Sequence, residues 1–237
     1  MKLDLASIAE YWPLFLKGFA VTIEISVLSL ILALVSGLVV AAARQSRFRV
    51  LVWLAIGYIE LFRTIPFMIQ LFLFFYVLPF YGVRLPAFAV GVIALSAHGC
   101  AYFAEIIRGA VQSVPKGQLD SARAVGMSNT QAMRHVIFPQ MLGYFIPPAT
   151  NQAVLLVKES SVTSTITVVE MTMAAQIVQG NTFSPIEVFL VISVLYWTLC
   201  SSISRLGARL EIKLQPFARG RHASRSARPE FAPPAGR

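Results

Sequence analysis

The chain has 237 residues, is 57% hydrophobic and 13% charged, and carries a formal net charge of +9, with a mean hydropathy of +0.69. Soluble domains carry about 25% charged residues, so the composition excludes an ordinary soluble enzyme or binding domain and points to an all-α membrane protein. Cys100 and Cys200 fall inside apolar runs and read as packing residues, not a disulfide framework. His98, His135 and His222 are too scattered for a metal site.

In chain order, residues 1–18 read as an amphipathic lead-in, with Leu3, Leu5, Ile8, Trp12 and Phe15 available to a membrane surface. The competing reading, a secretory signal peptide, fits poorly, because Lys2 and Lys17 are offset by Asp4 and Glu10 and the apolar run is too long. Five runs then carry no formal charge: 25–43, 64–83, 85–104, 135–157 and 188–204. Each, the last with its extension toward Pro185, is suited to crossing about 30 Å of hydrocarbon at about 1.5 Å per residue. With their flanks, roughly five spans are expected at 19–43, 51–78, 85–107, 141–177 and 186–208, within one membrane domain over 19–214.

Basic residues set the orientation. Arg44, Arg47 and Arg49 follow the first span, and Arg108, Lys116, Arg123 and Arg134 follow the third. A long basic run from Arg205 to Arg237 follows the fifth, whereas the opposite connections and the N-terminus hold Lys2, Lys17 and Arg84. The positive-inside rule places the N-terminus outside and the C-terminus in the cytoplasm. The charge therefore reports topology, and nucleic acid is not an expected partner. The same parity allows one crossing between Pro139 and Pro185, so the fourth span is expected to be bent or broken at membrane depth. Residues 215–237, rich in Arg, Ala and Pro, read as a disordered basic tail.

The connection over 108–140 is the most polar stretch, and it contains "DSARAVGMSNTQAMRHVIFP" (120–139). Pro115 suits the first turn of a helix, and Gly126 suits the position just past its end. Ser128 and Gln131 form an S-x-x-Q capping box that opens a second helix, and Pro139 ends or bends that helix. Local chemistry alone leaves open whether this is a docking element or a re-entry helix that merely covers the bundle.

Ionisable groups at bilayer depth are costly and mark candidate pathways. Glu60 and Arg63, three residues apart on a helix, read as a structural pair holding the bend at Pro66. Glu105 and Arg108 repeat that spacing at the cytoplasmic end of span three. Lys158 and Glu159 open "VKESSVTST", where hydroxyls crowd the segment expected to be broken, and Glu170 follows. Unwound backbone with hydroxyls at mid-membrane is one way transporters bind zwitterions. Ser160, Ser161, Thr163 and Glu170 are therefore candidates to line a substrate pathway, supported by Lys158 and Glu159. His98, mid-span, is a candidate contact whose alternative is a satisfied interior histidine.

The spacing Asp120-Ser121-Ala122, three residues, Gly126, nine residues, Val136, one residue, Phe138-Pro139 resembles the EAA-x(3)-G-x(9)-I-x-L-P motif of ABC importer membrane subunits. The stretches "AYFAEIIRGAVQSVPKGQ", "VGMSNTQAMRHVIFPQ", "PPATNQAVLLVKESSVTST", "YIELFRTIP" and "FSPIEVFLVISVLYW" look like the polar amino-acid permease branch of the histidine/glutamine type. Asp120, Ser121, Val136 and Phe138 depart from the motif's Glu, Ala, Ile and Leu while keeping charge or approximate size.

The resemblance implies a type I ABC importer (MetI-like) permease fold in the bacterial inner membrane. It also implies that Asp120, Ser121, Ala122, Arg123, Gly126, Val136, Phe138 and Pro139 couple to a cytoplasmic ABC ATPase dimer. A second permease chain, as homodimer or sister subunit, and an extracytoplasmic amino-acid-binding protein are the other implied partners, along with membrane lipid. The sequence contains no G-x-x-x-x-G-K-[ST] phosphate loop, so no cofactor of its own is expected and ATP is used by the partner. The competing class is a stand-alone proton-coupled secondary transporter or channel.

Overall fold

The computed structural model describes residues 6–218, and every regular element among them is helical. A single turn, α1 (Ala6–Ala9), leads into α2 (Trp12–Arg44), which starts inside the segment read as a lead-in; residues 1–5 of that segment lie outside the described residues. Helix α3 (Arg49–Thr64) is followed by α4 (Phe67–Phe72), which widens and then tightens through Tyr81. Helix α5 (Ala87–Ser113) crosses the centre. Two short helices, α6 (Lys116–Ala124) and α7 (Asn129–Ala132), lead into α8 (Phe138–Glu159). A 3-10 stretch (Ser160–Ile166), α9 (Met171–Thr182) and α10 (Pro185–Ala218) complete the chain. Of the tail read at 215–237, backbone through Ala218 continues α10, and residues 219–237 lie outside the described residues.

By length and apolarity, α2, α5 and α10 can each cross a membrane alone. The pairs 49–64 with 67–81 and 129–166 with 171–182 bring the number to five if each bent pair is one span. The first pair turns by 107° and the second by 50°. The first break has a local cause. Pro66 lacks an N–H and pushes Ile65 into extended backbone (φ −81°, ψ 131°), which helices do not tolerate.

Helix α2 is apolar on every side, as a bilayer span is, and its buried positions reveal which face meets protein. Thr22, Ile25, Ser29, Ala33, Gly37 and Ala41 are buried, whereas Val35, Leu38 and Val39 are 59–65% exposed. The buried stripe is mostly small, and it packs on the central helix α5, where Gly91, Gly99 and Ala104 are also buried. In lipid the contact is driven by close van der Waals packing, because tails are as apolar as leucine. Ile25, Ala33, Leu71, Leu95, Phe103 and Leu156 share one core cluster, uniting α2, α4, α5 and α8.

Candidate functional site

The polar connection is a folded unit. Helix α6 ends at Gly126, whose φ of +84° is left-handed. Met127 N donates to Ala122 O at 3.0 Å and Gly126 N donates to Arg123 O at 3.0 Å, closing the turn as glycine C-terminal motifs do. Ser128 Oγ accepts from Gln131 N, and Gln131 Oε1 accepts from Ser128 N, so the capping box is complete in both directions. Of the two outcomes expected at Pro139, the helix does not end there. It passes through a widened π turn (Met133–Ile137) into α8, which accommodates Pro139, whose ring cannot fit a regular helical turn. Gln140 Nε2 donates to Gln118 Oε1 at 3.1 Å, and Arg123 donates to Asn129 Oδ1, stitching the two arms together.

The unit has an inner and an outer face. Ala122 and Ala132 are 4% and 0% exposed, and Ile137 is buried beside Ala110, Val114 and Met141. Asp120, Ser121, Arg123 and Gly126 are exposed, as are Val125 at 74% and Phe138 at 51%, while Val136 and Pro139 are half-buried. Ala122 is thus covered by the chain itself and is not part of the outward surface. Its small size serves the hairpin's own closure. The surface offered outward is Asp120, Arg123, Val125, Gly126 and Phe138.

The second break lies at the end of α8. Ser160, Ser161, Thr163, Ser164 and Thr165 each donate to the carbonyl three residues back, at 2.7–2.8 Å. Three-residue spacing is that of the 3-10 helix, so the hydroxyl run tightens the backbone it belongs to. Thr167 then takes φ +69°, an uncommon conformation for a β-branched residue and one that accompanies functional turns. Glu170 caps α9 through Oε1, which accepts from Met173 N at 2.9 Å, and its Oε2 accepts from Tyr196 OH on α10 at 2.9 Å. Met171 N donates to Thr22 Oγ1 at 3.1 Å, fixing α9 to α2.

Ser160, Thr163 and Glu170 are therefore fully buried and hydrogen-bonded within the chain, not facing open space. Of the pathway candidates, Lys158 and Ser161 reach a pocket of about 380 Å³ with Tyr196, Trp197 and Cys200 of α10. His98 and Glu159 turn the other way and meet each other at 3.3 Å, Nε2 to Oε1. Glu60 and Arg63 do not pair. Both are exposed, and the Arg63 guanidinium lies 5.4 Å over the Tyr102 ring, which offers a cation its π face. At the basic end of the bundle Glu105 pairs with both Arg44 and Arg108. Among the described residues no three His, Cys, Asp or Glu side chains gather as a metal would require.

Gln70, Thr22 and Tyr196 are structural participants that sequence reasoning missed. Gln70 had a visible signal, a lone amide in the apolar run "FMIQLFLFF". Thr22 and Tyr196 had none, since both residue types are ordinary in such helices.

Residues 14–215 match the model of the binding-protein-dependent transport system inner membrane component family. The chain belongs to this family. It is 36% identical to the nopaline transport system permease protein of Agrobacterium fabrum, over 92% of this chain and 95% of that one. It is 34% identical to a probable glutamine ABC transporter permease protein of Bacillus subtilis, over 85% of this chain and 94% of that one. Among solved structures it superposes on a crystal structure of an amino acid ABC transporter with histidines. The TM-score there is 0.85 at 34% identity, covering 90% of this chain and all of the other. A methionine ABC transporter in an inward-facing conformation shares the fold alone, with a TM-score of 0.73 at 20% identity. The family member described here is thus a multi-pass component of the inner membrane with the MetI-like architecture.

Proposed function

We propose that this permease forms the translocation pathway of an ATP-driven importer of polar amino acids, and that the α6–α7 hairpin couples it to a separate cytoplasmic ATPase dimer. The observation carrying this reading is the hairpin itself. A rigid, doubly capped helix pair with an exposed rim transmits a rigid-body push that a flexible loop would absorb. The amino-acid cargo is supported by the names of relatives more than 30% identical to the chain. Arg44, Glu105, Arg108 and the hairpin gather at one end of the bundle, which supports a cytoplasmic placement of that end under the positive-inside rule.

Five spans are few for a complete channel. A second permease chain, a copy or a sister, completes the cavity, and an extracytoplasmic binding protein loads it. Within this chain the route passes Lys158 and Ser161 at the α8–α10 pocket, while Ser160, Thr163 and Glu170 hold the break in shape from behind. Lys158 joins no ion pair among the described residues. An ammonium near mid-membrane is costly without an anion, and the carboxylate of an amino acid supplies one.

Uptake by cells expressing the intact system is expected to collapse on ATP depletion and to survive an uncoupler. The reverse pattern would make the chain a proton-coupled transporter. A cysteine at Val125 is expected to cross-link to the ATPase subunit, and one at Ala122 is not, because it is buried. Reaction of Val125→Cys with an impermeant label from the periplasmic side alone would overturn the orientation.

A further inference from the structure

We infer that His98, Gln70 and Glu159 form a buried proton-binding site in which His98 is held as the imidazolium against an ionised Glu159. The site is built on the 107° break. Breaking α3 leaves carbonyls without helical partners, and Gln70 Nε2 donates to two of them, Phe62 O at 2.8 Å and Ile65 O at 2.6 Å. Both N–H groups of the amide are thereby used, and this fixes which way the amide points. Its Oε1 faces His98 Nδ1 at 3.2 Å. A carbonyl oxygen only accepts, so Nδ1 carries a proton.

The other ring nitrogen, Nε2, lies 3.3 Å from Glu159 Oε1. Neither Nε2 nor Glu159 Oε2 has a hydrogen-bond partner, and His98 is 3% exposed. A neutral His98 with its proton on Nδ1 would turn a lone pair toward a carboxylate in a poorly solvated site. A second proton, on Nε2, converts that repulsion into an ion pair, the arrangement buried charges require.

The surrounding groups offer Glu159 no other cation among the described residues. Lys158 is exposed beside the α10 pocket, and Arg63 lies over the far ring of Tyr102, whose centroid is 5.0 Å from that of His98. Tyr58 of α3 is engaged with the backbone of α5, its OH donating to Ala97 O at 2.7 Å. Phe67 closes the remaining side at 5.3 Å. The proton therefore belongs to a contact joining α4 just past the first break, α5, and α8 just before the second. It latches together the two places where the bundle is not continuous helix. The inference stands on this geometry and does not depend on the transport reading.

The test is nitrogen NMR of the full-length chain, labelled with 15N-histidine and assembled with its partner subunits in lipid nanodiscs. The sequence contains three histidines, and the His98 signals are assigned by their loss in His98→Asn. Both ring nitrogens of His98 are expected in the protonated range at neutral pH. Glu159→Gln, which presents an amide N–H to Nε2, is expected to return His98 to the neutral Nδ1–H form while leaving Tm nearly unchanged. Glu159→Ala is expected to lower Tm by about 5–10 °C. One unprotonated nitrogen at His98 in the wild-type spectrum overturns the assignment, as does an imidazolium that persists in Glu159→Gln.

Discussion

Replacing Gly126 by aspartate is expected to cut amino-acid uptake at least about tenfold while the chain still inserts and assembles. Backbone strain and charge both act at this position, and they differ in size. Gly126 holds φ +84° with open space around it, so an L-residue there meets strain and no clash. The left-handed conformation costs about 1–2 kcal/mol for most residues and less for Asn and Asp, and the capping box of Ser128 and Gln131 remains to hold the second arm. The hairpin therefore survives. The charge weighs more. The rim around Gly126 is where the proposed ATPase seats, and an unpaired carboxylate buried there costs about 2–5 kcal/mol of docking. Gly126→Asn, equally able to take the left-handed turn but uncharged, is expected to keep most of the uptake. Measuring uptake and substrate-stimulated ATP hydrolysis for both variants in proteoliposomes separates strain from charge. Full activity in Gly126→Asp would remove the hairpin from the coupling pathway.

What the sequence could disclose followed the range of the forces involved. The α6–α7 hairpin was legible because helix caps act within four residues, and each of its signals (Pro115, Gly126, Ser128 with Gln131) is local. The break at Pro66 was legible for the same reason. Glu60 and Arg63 illustrate the opposite case. Their spacing allows a pair on any helix, but only the fold reveals that Tyr102 on another helix competes for the guanidinium. The hydroxyls of 160–165 misled in a different way. Their composition suggested groups offered to a cargo, yet a hydroxyl satisfied by its own backbone and one aimed into a cavity are identical in sequence. Burial separates them here: Ser160 and Thr163 are enclosed by the chain, and Lys158 and Ser161 are the members of the cluster that reach a pocket. Glu170 was found for its charge, but its service as the cap of α9 needed the geometry of Met173 and Tyr196.

The α2–α5 seam gives the second large effect, on assembly instead of coupling. Gly37→Leu is expected to abolish accumulation of folded permease, or to lower the Tm of what remains by about 5–10 °C. A Cβ at Gly37 would lie 2.8 Å from Phe103 Cβ, 3.1 Å from Cys100 O and 3.2 Å from Ala104 N. Two of these are backbone atoms of the central helix, so no rotamer change relieves the contact, and the helices must separate. Opposite this point a Cβ at Gly99 would lie 2.9 Å from Ala33 Cβ, so the two backbones approach closely at both positions along the seam. Overpacking a close contact costs about 1–3 kcal/mol, occasionally more. In a bilayer the loss is not recovered elsewhere, because lipid replaces protein at the parted surface without a hydrophobic penalty that would drive reclosure. Leucine at Val39, two residues away and 65% exposed, adds similar bulk toward lipid and is expected to leave Tm and uptake unchanged. Equal stability of the Gly37 and Val39 variants would show that the seam is looser than its distances imply. A selective loss at Gly37 would place the scaffold's rigidity, on which any push from the hairpin depends, in a strip of residues chosen for having almost no side chain.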